Sequence, residues 1–218
     1  MAFSSSNISF LPIGTDAKIF HFLLENLPRL VPFLPELLAE PAIKIHIVAL
    51  NGAKPSRFVL NWMRFLGIAP ERLVAGKVRA TEVFVPEGMG CGAPGENPLQ
   101  LLLMQHEVQV RLSVKQKMST VLLVNRQAGQ RVTGLTFDFV QMEHVVRVFL
   151  REAKLEDELK IEVFSDLDTE TLNCVACTGR IFNRAKLVIS KHGAAESNLL
   201  FMQPGATLFE QWNYGTLY

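Results

Sequence analysis

The chain has 218 residues, 22 Lys and Arg against 21 Asp and Glu, and 49 % hydrophobic residues. This composition excludes a disordered chain, and the formal net charge of +1 gives no reason to expect general affinity for nucleic acid or anionic membranes. The sequence contains no run of about 20 apolar residues and no signal-peptide pattern, so it predicts no membrane-spanning segment.

Hydrophobic patterning predicts two α/β halves. In the first half, a helix bent at its prolines precedes a strand, a second helix that begins at Pro55 and stops at Gly67, and two short strands. A loop rich in glycine and proline follows, and it is either an acceptor-binding loop or a surface excursion. The predicted elements are the helices 17–38 and 55–65, the strands 43–50, 72–74 and 82–85, and the loop 86–98.

A helix over 99–112 leads into a second half where strands and helices alternate. Helices of this length between strands predict right-handed crossovers and a parallel sheet, with ligands at the carboxyl ends of the strands. The predicted strands are 120–124, 160–164, 186–189 and 206–209, and the predicted helices are 137–153, 169–184 and 194–202. We place the domain boundary between residues 113 and 114.

The turn after the strand 186–189 is the most informative segment. It reads Lys-His-Gly-Ala-Ala-Glu-Ser-Asn over residues 191–198 and opens a predicted helix. A helix start leaves backbone N–H groups and partial positive charge, and Gly193 and Ala194 let a phosphate approach closely. The alternative is an ordinary strand-to-helix turn.

Four blocks, in this order along the chain, resemble glycosyltransferase family 61. They cover nearly the whole sequence, and their combination is more specific than any one of them. The blocks are Phe20-His21-Phe22 with Leu27-Pro28-Arg29-Leu30; Leu66-Gly67-Ile68 with Val83-Phe84-Val85-Pro86; Val124-Asn125-Arg126 with Arg131; and His192-Gly193-Ala194, Asn198, Leu200-Phe201-Met202, Pro204-Gly205 and Glu210.

The resemblance implies a fold and an activity. The family includes xylosyl- and N-acetylglucosaminyltransferases of the EGF-domain and plant types, and relatives in bacterial capsule synthesis. It implies the GT-B fold, in which two Rossmann-like halves face a cleft. Residues 1–113 would form the acceptor side, and 114–218 would bind a nucleotide sugar. The expected reaction is inverting, metal-independent transfer from a UDP-sugar to a glycan or glycoprotein hydroxyl, with no further cofactor; the alternative is a catalytically silent relative.

The resemblance also assigns roles on the donor side. Arg126 and Arg131 would bind the diphosphate, because a guanidinium fork matches phosphate oxygens; the alternative is a pair of solvated loop arginines. Glu210 would bind ribose hydroxyls, or it is a plain strand-end carboxylate. The residues expected at the helix start are His192, Gly193, Ala194, Ser197 and Asn198. This chain departs from the family pattern at Ala195 and Glu196, and a carboxylate there would compete with phosphate unless it points away.

A general base is expected in the first predicted helix. His21 and Glu25 are four residues apart and so share a helical face. Histidine titrates near neutral pH, and the carboxylate would orient its ring while His21 removes the acceptor proton. The alternative is a salt cluster on the helix surface.

Two further motifs are assigned to structure. Asp166 and Asp168 have the spacing of a metal-binding pair, but Asp168 precedes a predicted helix and is interpreted as its N-cap. Cys174 and Cys177 have the spacing of a redox or zinc pair, but no second pair exists. We interpret them as small packing residues on one helical face.

The compartment stays open at this stage. The resemblance favours the Golgi or ER lumen for a fragment of a eukaryotic member and the cytoplasm for a bacterial protein. Because the family normally continues well beyond the equivalent of Glu210, we expect the second half to be truncated at its end.

Overall fold

The computed structural model describes residues 20–47, 54–86, 98–113, 115–125, 139–165 and 168–211, and describes residues 7–11 by their backbone alone. The chain divides into two compact units, Met1–Arg111 and Leu112–Tyr218. Both contain a parallel β-sheet with helices between strands, which confirms the predicted α/β class. Among the described residues, no helix is long and apolar enough to cross a membrane.

The first unit contains a sheet of the strands β1 (Asn7–Leu11), β2 (Lys44–Ile47), β3 (Leu73–Ala75) and β4 (Glu82–Phe84). Their order in the sheet is β3-β2-β1-β4, with every pairing parallel. The strand β1 was not among the predicted elements, although it lies at the centre of the sheet. The elements are β1 (Asn7–Leu11), a π-helix (His21–Asn26), 3₁₀ helices (Leu27–Arg29, Val31–Phe33), α1 (Leu34–Ala39), β2 (Lys44–Ile47), α2 (Arg57–Phe65), a 3₁₀ helix (Pro70–Arg72), β3 (Leu73–Ala75), β4 (Glu82–Phe84) and α3 (Pro98–Leu112).

The second unit contains a sheet of the strands β5 (Thr120–Asn125), β6 (Lys160–Ser165), β7 (Ala185–Lys191) and β8 (Thr207–Gln211). Their order in the sheet is β6-β5-β7-β8, and the sheet is also parallel throughout. The direction of winding reverses between β5 and β7, which is where open α/β sheets bind ligands. A core cluster of Val121, Leu123, Val146, Leu150 and Ile189 packs on this sheet. The elements are β5 (Thr120–Asn125), α4 (Phe139–Glu152), β6 (Lys160–Ser165), α5 (Thr169–Asn173), α6 (Val175–Asn183), β7 (Ala185–Lys191), a 3₁₀ helix (Ala194–Phe201) and β8 (Thr207–Gln211).

The predicted helix 17–38 is a series of short helices in its described part. Proline has no N–H to donate and clashes with the preceding turn, so Pro28, Pro32 and Pro35 each lie at the second position of a new segment. Before them, the Leu27 N–H donates to the Phe22 carbonyl, one residue beyond the α-helical partner, and gives a π turn. Single π turns are frequent at functional sites.

The predicted helix 169–184 divides at Cys174. Asp168 caps α5 by accepting from the Thr171 N–H at 3.0 Å, which confirms its interpretation as an N-cap. Cys174 then caps α6 and forms a disulfide with Cys177, so the interpretation of both cysteines as packing thiols is wrong. Because the bridge closes a very short loop, it restricts the unfolded chain by only about 2 kcal/mol.

One other helix differs from prediction at its start, and another differs in its type of hydrogen bonding. The helix predicted at 55–65 begins at Arg57, because the Ser56 hydroxyl caps it by accepting from the Val59 N–H. It is followed by Gly67 in the left-handed region, with a φ of 82°, as the predicted stop requires. The segment predicted as the helix 194–202 is helical over Ala194–Phe201, but its hydrogen bonding is of the 3₁₀ type.

Arg72 joins three elements of the first unit. It is only 6 % exposed, and its guanidinium donates to the carbonyls of Leu37, Glu40 and Ile43, which lie at the end of α1 and before β2. Burial lowers the pKa of Arg72. Charged hydrogen bonds that satisfy three carbonyls offset the cost of burying this cation.

We expect Arg72→Ala to lower the free energy of unfolding by about 3 kcal/mol, because three carbonyls lose their donor. Arg72→Lys should recover only part of this loss, since an ammonium lacks the fork geometry. Urea denaturation of both variants measures the effect, with the exposed Arg79→Ala as control. A loss in Arg72→Ala no larger than in the control would contradict this role.

Candidate functional site

The carboxyl ends of β7 and β8 bring His192 next to Glu210. Parallel pairing places Ser190 opposite Glu210, and the His192 N–H then donates to the Gln211 carbonyl at 3.1 Å. Glu210 therefore lies inside β8, one residue before its end, rather than beyond the strand as predicted. The His192 ring is more than half exposed, at 56 %, and its Nδ1 is in hydrogen-bond contact with Glu210 Oε1.

A third side chain, Glu196, completes this group. Its Oε2 lies 3.7 Å from His192 Nδ1, and it follows that histidine by four residues. One ligand-type atom from each of His192, Glu196 and Glu210 lies within 4.8 Å of the others. Such a group can share a proton or hold a divalent cation, since imidazole and carboxylate are both ordinary metal ligands.

Glu196 points toward the start of its own helix. Its Oε2 accepts from the Gly193 N–H at 3.3 Å, which is one of the backbone donors expected to bind phosphate. Its Oε1 is buried and has no hydrogen-bond partner among the described residues. The carboxylate thus occupies the place at which the sequence predicts an external anion, so a phosphate at Gly193 would have to displace it.

Burial controls the protonation of Glu196. Desolvation raises the pKa of this carboxyl to about 7, and the neighbouring Glu210 adds to the rise. The Gly193 N–H and His192 act in the opposite direction. Near neutral pH, the group therefore holds a carboxyl that changes between neutral and charged forms.

The other residues predicted at the helix start are mostly buried. Ser197 is 1 % exposed, and its Oγ has no hydrogen-bond partner in the described part of the chain. Asn198 is also buried, and its amide donates to the Ala195 carbonyl at 3.0 Å. Ala194 begins the 3₁₀ helix. Donor-binding roles for Ala194, Ser197 and Asn198 stay predictions.

Several predicted residues lie outside the described residues. Arg126 and Arg131 are among them, and so is Asp166. The described part of β5 ends at Asn125, directly before Arg126, on the strand beside β7.

The predicted catalytic pair is formed within the first unit. His21 Nδ1 lies 2.8 Å from Glu25 Oε2 in the π-helix. Glu25 is 4 % exposed, and the Asn26 amide donates to the His21 carbonyl at 2.8 Å, which supports the same turn. Arg29 is buried in the same stretch; its burial lowers its pKa, against the opposite effect of Glu25. The carboxylate can therefore fix the orientation of the imidazole.

The fold and the site define an α/β protein with polar groups at the carboxyl ends of a parallel sheet. The family model described as Glycosyltransferase 61 matches residues 19–209. This chain belongs to glycosyltransferase family 61, as the sequence blocks predicted, and the membership indicates glycosyltransferase activity. A comparison with curated proteins finds none that matches.

Glu196 was not among the predicted site residues. The sequence contains one signal for its position, the separation of only four residues from His192 across the start of the helix. The local sequence does not predict that Glu196 lies near Glu210, because this proximity depends on the pairing of β7 with β8.

Glu196→Gln should stabilise the protein in a pH-dependent way. The pKa of Glu196 is about 7 when folded and near 4.5 when unfolded, so the folded state binds more protons between these values. The wild-type protein then loses free energy of unfolding as the pH rises from about 4.5 to 7, whereas Glu196→Gln should not. At pH 8 the variant should be more stable than the wild type by on the order of 2 kcal/mol.

Denaturation of wild type and Glu196→Gln at several pH values measures this difference. The exposed Glu170→Gln, in the first turn of α5, is the matched control. A difference between Glu196→Gln and wild type that is the same at pH 4.5 and pH 8 would show that Glu196 is not held in a desolvated state.

Proposed function

We propose that this protein is an inverting, metal-independent glycosyltransferase that moves a hexose or pentose from a UDP donor to a glycan or protein hydroxyl. The observation that supports it most is the meeting of His192, Glu210 and the helix start at Gly193, at the carboxyl ends of adjacent parallel strands. Open α/β sheets bind nucleotides at this edge. The GT-B arrangement, with two halves facing a cleft, is part of the proposal.

The diphosphate is assigned to the second unit. Arg126 and Arg131 bind its oxygens, and the N–H groups that follow His192 contribute once Glu196 moves or becomes protonated. Glu210 accepts hydrogen bonds from the ribose hydroxyls. As the anomeric bond breaks, negative charge develops on the leaving diphosphate, and the two guanidiniums stabilise it.

The acceptor is activated in the first unit. Glu25 accepts from the Nδ1–H of His21, which leaves the basic lone pair on Nε2 in the neutral imidazole. His21 Nε2 removes the proton from the acceptor hydroxyl while that oxygen attacks the anomeric carbon. The bond to the diphosphate breaks on the opposite face in the same step, so the anomeric configuration inverts.

A second candidate function is a catalytically silent relative that binds a glycan or partner protein. The observation in its favour is the Glu196 carboxylate at the Gly193 N–H, which places negative charge where the donor diphosphate is expected. The two functions differ in a simple observation, because only the transferase converts a UDP-sugar and an acceptor to UDP and a glycoside.

The donor proposal is tested by thermal unfolding with UDP in excess EDTA. At about 100 times its dissociation constant, a ligand of the folded state adds roughly 2.7 kcal/mol of stability. Arg126→Ala should weaken UDP binding and slow transfer by about 2 to 4 kcal/mol, and Arg126→Lys should recover part of this.

Arg151→Ala, on the exposed face of α4, is the control for this experiment. The configuration of the glycoside, read by NMR, tests inversion. No stabilisation by any nucleoside diphosphate would favour the silent relative. Binding that needs added manganese would instead favour a metal-dependent transferase, with the cation held either by His192, Glu196 and Glu210 or by Asp166 and Asp168.

The proposed base is tested by separating rate from affinity. His21→Ala should lower turnover about 10²- to 10⁴-fold, and Glu25→Gln should lower it less because it keeps the side-chain shape. Donor affinity should be unchanged in both, since the diphosphate is assigned to the second unit. His106→Ala, an exposed histidine in α3, is the control. Normal turnover in a folded His21→Ala protein would remove His21 from the mechanism.

A further inference from the structure

The disulfide between Cys174 and Cys177 lies at the start of a helix. Cys174 is the N-cap of α6, and Cys177 lies in its first turn, with 5.1 Å between their Cα atoms. Both residues are half-buried, so solvent reaches this part of the helix start. The proposed transfer reaction uses neither cysteine.

The surroundings of the two sulfurs stabilise negative charge. The Cys177 N–H donates to Cys174 Sγ at 3.2 Å, which places a backbone donor and the positive end of α6 on that sulfur. One turn further along the helix, Arg180 Nη2 lies 3.9 Å from Cys177 Sγ. A helix start and a neighbouring arginine are the features that favour a thiolate over a thiol.

These features have a direct consequence for thiol exchange. A stabilised Cys174 thiolate is a good leaving group, and stabilisation of the reduced form makes a disulfide easier to reduce. The bridge closes a loop too short to add much to stability, so the short loop gives little structural reason for an inert bond. The pair therefore differs from a buried structural disulfide in access, charge and loop length.

We propose that Cys174 and Cys177 form a redox-active pair that exchanges electrons with a thiol reductant. A reductant thiolate, attracted by Arg180, attacks Cys177 Sγ, and the S–S bond breaks with release of the Cys174 thiolate. A second reductant thiol attacks the reductant sulfur of the mixed disulfide and releases Cys177. The pair gains two electrons and two protons, and the reductant leaves as its disulfide.

The test equilibrates the full chain with glutathione mixtures of varied ratio, then alkylates free thiols and digests with trypsin. Cys174 and Cys177 lie together in the tryptic peptide 161–180, whereas Cys91 lies in a different peptide. The mass of the peptide 161–180 therefore reports the state of this pair alone. We expect half reduction within the range of glutathione ratios while the protein stays folded. A pair that stays oxidised until the protein unfolds, with glutathione and with a vicinal dithiol alike, would overturn the proposal.

A second measurement tests the origin of the reactivity. Arg180→Gln should shift the midpoint ratio several-fold toward the oxidised pair, whereas Arg151→Gln on α4 should not shift it. At pH 7, the lone Cys174 of Cys177→Ser should react with iodoacetamide about 10-fold faster than the lone Cys177 of Cys174→Ser. Equal rates, together with an unchanged midpoint in Arg180→Gln, would overturn the proposal.

Parallel runs with a vicinal dithiol in place of glutathione identify the class of reductant. Reduction by both at matched reducing strength supports exchange with small thiols. Reduction by the dithiol alone supports a protein dithiol as the partner. In that case the mixed disulfide is broken only when the second thiol of the same reductant molecule attacks it. Failure of both in the folded protein overturns the proposal and leaves the transferase proposal untouched.

Discussion

Parallel strand pairing is the constraint on which the rest of the second unit depends. Parallel strands carry all their carboxyl ends to one edge of the sheet, and each needs a crossover to return. In this chain the pairing of β7 with β8 sets Ser190 opposite Glu210 and carries the His192 N–H to the Gln211 carbonyl. Two polar side chains that are 18 residues apart in sequence thereby meet at one place.

The site combines two electrostatic demands that oppose each other. A helix start favours an anion, and Glu196 supplies one from within the chain by accepting from the Gly193 N–H. Desolvation beside Glu210 makes that charge costly, as the raised pKa of Glu196 records. In the proposed transferase, the donor diphosphate would replace this internal anion at the Gly193 N–H. Whether the Glu196 carboxylate leaves the Gly193 N–H when a donor is present therefore distinguishes the proposed transferase from the proposed silent relative.

Sequence patterning predicted the second half better than the first, for physical reasons. Apolar strands such as β5 and β7 are flanked by helices with one apolar face, and both patterns are local. The strand β1 is too short and too close to polar residues to give such a signal. The helix types around His21 and Ala194 depend on whether an N–H selects a carbonyl three, four or five residues back, which periodicity does not resolve. The Cys174–Cys177 bridge depends on a helix break at Cys174, which the periodicity did not indicate either.

The helix α6 connects the disulfide with the site. A side chain at Gly179 would come within 2.7 Å of Leu112 and 2.9 Å of Phe201, so only glycine lets α6 pack closely on the end of the 3₁₀ helix Ala194–Phe201. At the end of α6, Asn183 donates to the Phe201 carbonyl, and the Gln203 amide donates back to the Asn183 carbonyl. These buried bonds fix the far end of the 3₁₀ helix, whereas His192 and Glu210 hold the strand that leads into it. The middle and the end of α6 therefore pack on the far end of the segment that follows His192, so the position of that segment depends on α6 as well as on the sheet.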